Sequence, residues 1–161
     1  MNMSTHALLA IMETDGSIKA VYLHNSGSLR YAGNTLLTYY RDPSKVRALI
    51  ELGDLSCLGK TIGEKVDFDA YISTSNYING TQCLAYCRDR GEEFQQFSIK
   101  NMDVLKRRLW DEFDFIYIYD VNKEMWLYTH RPHKAYKGKD IMPLEAAMAL
   151  YKANELFEEE V

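Results

Sequence analysis

An α+β fold is what the sequence predicts: a single domain over residues 1–161, with helices packed on an antiparallel or mixed sheet of about five strands. Three observations lead there. Two apolar ribbons turn back on themselves, at Asp15-Gly16 and at Asn122-Lys123. Stretches of helical period separate them, and a lone strand-like stretch lies in between. A chain of 161 residues with 47% apolar and 26% charged residues has an ordinary globular balance, and this length buries roughly 70% of the unfolded surface without a staple.

The first ribbon is "HALLAIMETDGSIKAVYLHNSG". Pairing outward from a two-residue turn sets Glu13 opposite Ile18, Ile11 opposite Ala20, Leu9 opposite Tyr22 and Ala7 opposite His24. Its first strand is apolar on both faces, which predicts a central strand covered on both sides. "YAGNTLLTYY" carries Leu36, Leu37 and Tyr40 at helical spacing. In "RDPSKVRALIELGD" Asp42 caps a helix, Pro43 opens it and Gly53 ends it. From Gly63 to Gly80 no period is sustained, so a long loop with a short strand is expected. "TQCLAYCRDRGEEF" reads as a strand, with Cys83, Ala85 and Cys87 on one side, closing in a charged turn at Arg90-Gly91.

"NMDVLKRRLWDEF" reads as a helix capped by Asn101, with Met102, Leu105 and Leu109 facing inward. In the second ribbon Tyr119 opposes Trp126, Tyr117 opposes Tyr128 and Phe115 opposes His130. Ile118 with Leu127 and Ile116 with Thr129 lie on the other face. An Ala-rich helix beginning near Pro143 closes the sequence.

The net charge of −4 argues against a general nucleic-acid binder and is too mild for a nucleic-acid mimic. Three cysteines, an odd number, suit a reducing cytosol, and one wide pair, Cys83 and Cys87, falls short of a zinc site. No run of about 18 apolar residues and no leader pattern occurs, which predicts a protein that stays in the cell making it. No metal and no cofactor are expected.

Three groups of residues have chemistry to offer. Arg88 and Arg90 flank Asp89, and alternate strand positions present both guanidinium forks to one phosphate or carboxylate; the alternative is a strand end with its charges paired to Asp89, Glu92 and Glu93. Tyr117, Tyr119, Trp126 and Tyr128 form an aromatic face that either stacks on a base or serves as core beneath the last helix. His130 belongs to the same expected ligand site, and Arg131, Lys134, Lys137 and Lys139 follow it, near enough to meet phosphates. His24 ends a strand and is the one candidate for acid–base work, with His6 expected on the opposite face. No nucleophile elbow, glycine-rich phosphate loop or HExxH pattern is present.

Three segments, "MSTHALLAIMETDGSIKAVYLH" (Met3 to His24), "AGNTLLTYYRDPSKVRALIELGDLSCLG" (Ala32 to Gly59) and "LAYCRDRGEE" (Leu84 to Glu93), resemble a family of small bacteriophage and prophage proteins. The family has no settled biochemical activity, so the resemblance implies a setting rather than a catalytic roster. That setting is a phage accessory protein in the cytoplasm of an infected bacterium, acting on the host or its defences. Where relatives carry "HWDGYP", this chain has "HNSGSL" from His24 to Leu29. The expected function is sequestration of a phosphorylated or nucleotide-like small molecule. The alternatives are direct inhibition of a host defence protein and, after it, a small hydrolase using His24. A homodimer through residues 63–80 or through the aromatic face is left open.

Overall fold

A computed structural model describes residues 6–130 and 141–153. Its centre is a mixed sheet. Strands β1 (Ala7–Met12) and β2 (Ile18–Leu23) form the first ribbon, and β6 (Phe115–Asp120) and β7 (Met125–His130) the second. Four shorter strands complete it: β3 (Leu55–Cys57), β4 (Leu84–Ala85), β5 (Phe97–Ile99) and β8 (Met142–Pro143). The order is β4-β3-β2-β1-β6-β7-β8, with β5 also on β2. β1 runs parallel to β6, and β2 parallel to β3; the other pairings are antiparallel. Eight strands stand where about five are predicted, because β3, β5 and β8 have three residues or fewer and show no alternation.

The predicted pairs of the second ribbon are those observed, from Phe115–His130 to Tyr119–Trp126. The first ribbon differs by one residue: Met12 pairs with Ile18, Leu8 with Tyr22 and Ala7 with Leu23. The loop takes one more residue than a two-residue turn would. Gly16 sits at φ +89° and donates to the Glu13 carbonyl at 2.9 Å, while Asp15 Oδ1 accepts from Ser17 N at 2.9 Å. A left-handed glycine closing a three-residue loop is an established hairpin variant, and it changes which residues stand opposite one another.

Helices cover both faces. α1 (Asn34–Tyr39), α2 (Pro43–Ile50), α7 (Leu144–Lys152) and a single π-helical turn (Leu29–Gly33) share one buried cluster with Leu9, Leu23, Tyr117 and Trp126. α6 (Met102–Leu109) covers the other face, over Leu8, Ala20, Ile116 and Ile118. α2 begins as its sequence indicates, with Asp42 accepting from Ser44 N and Pro43 in the first turn, and Gly53 at φ +79° follows its end. Asn101 caps α6 through Val104 N.

Two expectations need correction. Residues 63–80 hold no strand; they form α3 (Phe68–Ile72) and α4 (Ser75–Ile78), one-turn helices too short to display a period, over a small cluster of Phe68, Tyr71 and Leu84. The strand at 81–88 is cut to β4, and α5 (Tyr86–Arg90) follows. The Asp89 carboxylate accepts from Ala85 N at 2.8 Å and Gly91, at φ +75°, ends the turn, which holds the backbone helical. No helix among the described residues is long and apolar enough to cross a membrane.

Candidate functional site

The aromatic face of β6 and β7 is core. Tyr117 is 0% exposed, Tyr119 and Tyr128 are 1% and Trp126 is 3%. Their polar atoms bind structure: Tyr117 donates to the Gly27 carbonyl at 2.7 Å, Tyr119 to that of Arg41 at 2.9 Å, and Trp126 Nε1 to that of Tyr40 at 2.8 Å. The rings pack in pairs, with Tyr119 and Trp126 centroids 5.3 Å apart, beneath α1, α7 and the π-turn. The stacking-platform expectation for these four residues is therefore overturned: no ring face is left for a base. His130 is buried with them, edge-on to Phe115 and bonded to the Tyr128 hydroxyl at 3.0 Å. Arg131, Lys134, Lys137 and Lys139 lie outside the described residues.

The arginine fork is overturned as well. Positions two apart on a helix point to different sides, and α5 is helical. Arg88 holds the buried Asp89 through Nε at 2.9 Å and donates to the carbonyls of Ile62 and Cys83 at 2.9 Å each. Asp89 also accepts from Val66 N at 3.1 Å, so the pair ties the 62–66 segment to β4. Arg90 pairs with Glu92 and stacks over Phe68 and Tyr86, 4.6 and 4.9 Å from their centroids. Both guanidinium groups are committed to the fold.

His24 is half-buried, and its Nδ1 meets the Tyr22 hydroxyl at 2.8 Å. His6 does the same at 2.6 Å, on the same face rather than the opposite one, a consequence of the shifted register. Burial, and next the charge of His6, hold the His24 imidazole below its ordinary value.

An open cleft of about 390 Å³ lies elsewhere, beyond the ends of β2 and β3. The π-turn and α1 form one wall through Arg30, Tyr31 and Asn34. Cys57, Leu58 and Lys60 form the floor, and α4 with the following turn forms the other wall through Tyr77, Ile78 and Asn79. Parallel neighbours such as β2 and β3 commonly leave ligand space beyond their carboxyl ends. Local strain marks the place. Ser26 at the rim has φ +58°, a left-handed conformation unusual for a side chain. π-turns, too, are frequent at functional sites. Gly59 packs so tightly under the far wall that an added Cβ would come within 2.1 Å of the Gln82 backbone.

The cleft's electrostatics are one-sided. Among the described residues its lining includes Arg30 and Lys60 and not one carboxylate. Neither cation has an ion-pair partner among the described residues; Arg30 lies 5.1 Å from the Tyr31 ring and Lys60 6.0 Å from that of Tyr39. Lys45 stands behind, donating to the Lys60 carbonyl at 3.0 Å. The Cys57 thiol donates to the Tyr77 hydroxyl at 3.4 Å; that bond and burial push the phenol up to about 12, so it stays a neutral polar group near pH 7. Sequence reasoning missed this site because its walls come from three separated segments without period. The available signal was weak: lone cations beside tyrosines, at Arg30-Tyr31 and at Lys60.

Comparison with protein-family models, with curated proteins and with solved structures found no match.

Proposed function

We propose that the protein binds a small phosphorylated or nucleotide-like molecule in the cleft between the π-turn and α4 and holds it there without chemistry at that cleft. One observation carries this reading: among the described residues, two exposed cations without acidic partners share a carboxylate-free concavity with tyrosine rings. Cations supply the attraction for phosphate and ring faces the stacking surface, worth about 1–3 kcal/mol per base. Amides of Asn34 and Asn79 offer donors and acceptors for a base edge. A volume of about 390 Å³ suits one small ligand. The resemblance to phage proteins supports a role in withdrawing such a molecule from a host response.

A panel of nucleotides tests this by thermal shift. A true ligand stabilises the fold as RT ln(1 + [L]/Kd), about 2.7 kcal/mol at a hundredfold excess over Kd. Silence across the panel, together with unchanged melting in inorganic phosphate and pyrophosphate, would end the reading. A second reading, direct docking on a host defence protein, rests on Ile78 and Tyr31, 81% and 52% exposed at the same mouth. That reading expects capture of a host protein by the wild type, lost in Ile78→Asp, with no response to nucleotides.

A further inference from the structure

On the opposite face of the sheet, between β2, β5 and α6, runs a second groove of about 460 Å³. His6, Tyr22 and Arg108 line it, with Phe97 and Phe113 as an edge-to-face pair of rings and Glu112 at its rim. The Tyr22 hydroxyl sits between Nδ1 of His6 and Nδ1 of His24, whose ring centroids are 5.2 Å apart. Neither Nε2 has a hydrogen-bond partner among the described residues. Arg108 is exposed and has no ion pair among them.

A phenol carries one proton, which gives this trio two states. When Tyr22 donates to His24 Nδ1, its oxygen accepts from His6 Nδ1–H, and His6 Nε2 holds a lone pair. When the bonds reverse, His6 Nε2 holds the proton. In the first state, uptake of a proton at His6 Nε2 is matched by release of its Nδ1 proton through the Tyr22 hydroxyl to His24 Nδ1, so His24 shares the charge that His6 gains, and the relay runs back when His6 gives the proton up. Among the described residues the groove lining holds no serine, threonine or cysteine to act as nucleophile. A substrate suited to it carries its own, as a ribose 2′-hydroxyl beside a phosphodiester does.

We propose that this groove is a general acid–base site for short ribonucleotide phosphodiesters, in which His6 is the catalytic residue, Arg108 pairs with the phosphoryl oxygens, and Tyr22 and His24 are positioning residues. His6 Nε2 takes the 2′-hydroxyl proton as O2′ bonds to phosphorus. The P–O5′ bond breaks, its electron pair stays on O5′, and His6 returns the proton there. The products are a 2′,3′-cyclic phosphate and a 5′-hydroxyl, and no co-reactant is consumed. Phe97, Phe113 and Tyr22 wall the space beside the reacting group, where a base stacks. The acidic body, at −4, and Glu112 at the rim favour a dinucleotide over long RNA. This site is separate from the cleft and does not rest on the binding assignment there.

The test uses the full-length protein with uridylyl-adenosine and its 2′-deoxy analogue. The expected result is release of uridine 2′,3′-cyclic phosphate from the ribo compound alone, with a bell-shaped pH profile. The groups shaping that profile are His6, His24, Tyr22, Arg108, Glu112 and Asp54, whose carboxylate accepts from Tyr22 N. His6→Ala lowers turnover by about 10²–10⁴-fold, and added imidazole restores part of it. His24→Ala and Tyr22→Phe lower kcat by about 10-fold and move the acid limb, which a merely structural role would not do. Glu112→Gln lowers KM. Turnover absent from the wild type, equal in His6→Ala, or equal with the deoxy analogue overturns the assignment. Should His6→Ala fail to fold, the wild-type pH profile and the deoxy comparison decide: a flat profile or deoxy cleavage sinks it.

Discussion

Tyr117, Tyr119, Tyr128 and Trp126 on the second ribbon and Tyr31 and Tyr77 in the cleft offer the same chemistry in opposite surroundings. The first set is sealed under α1, α7 and the π-turn, and its polar atoms bond to backbone carbonyls and to His130. The second set stands open or half-open beside cations. The arginines divide the same way: Arg88 is used up on Asp89 and two carbonyls, while Arg30 is exposed and, among the described residues, lies over the Tyr31 ring with no ion pair. Ring content and charge therefore do not mark a site in this protein. What marks it is the absence of a covering helix and of partners for the cations.

The sharpest way to break this contrast is Trp126→Ala. If the ribbon rings are core, truncation costs about 3–5 kcal/mol in urea unfolding, through lost burial, a cavity and an orphaned Tyr40 carbonyl. Nucleotide affinity of whatever fraction stays folded should not change. Full stability with lost affinity would reverse the two roles. Next in size is Asp89→Ala. It strands the Arg88 guanidinium and unties Val66 N and Ala85 N, a loss of about 3 kcal/mol read in the same unfolding assay. A variant as stable as the wild type would mean that the pair is not what ties residues 62–66 to β4.

The sequence shows one of these regions far better than the other. The second ribbon is legible residue by residue, because a long alternating run fixes faces and the turn fixes register. Even so, the sequence does not say whether the aromatic face is covered, since coverage depends on where α7 and the π-turn dock. The first ribbon is legible as a hairpin, yet a single extra loop residue at Glu13–Ser17 shifts every pair and brings His6 beside His24. The cleft is least legible. Its walls come from residues 26–35, 57–60 and 77–82, where one-turn helices and short strands leave no pattern to read. "CRDRGEE" misleads for a related reason: a carboxylate between two arginines bends the strand into a helix, and spacing alone does not reveal that.

Arg30→Ala with Lys60→Ala sharpens the contrast from the open side. Exposed and unpaired, the two positions should leave stability within about 0.5 kcal/mol, while each lost phosphate contact weakens ligand affinity by about 10-fold. Calorimetric titration with whichever nucleotide gives the largest melting shift measures it. Unchanged affinity would remove the cleft from the function.

The smallest effect belongs to a cation that is paired but not sealed. Arg47 grips Glu13 with Nε at 3.0 Å and a terminal nitrogen at 2.8 Å, tying α2 to the first hairpin loop. The hydrogen bond from Arg47 lowers the Glu13 carboxyl below its ordinary 4.5. A depressed folded-state value means that the pair contributes above the unfolded value and is lost as pH falls through the folded one. The contribution is therefore intact at pH 7 and is lost progressively as pH falls from 4.5 through the lower folded-state value. Since both side chains are a third or more exposed, water screens the pair, and Glu13→Gln should lower the melting temperature at pH 7 by only about 1–2 °C. The variant and the wild type should converge once pH has fallen below the depressed folded-state value, where the wild-type carboxyl is protonated too. A gap that persists there would trace the loss to the loop geometry rather than to charge. A loss at pH 7 as large as that of Asp89→Ala would mean that exposure does not separate spent cations from available ones in this protein.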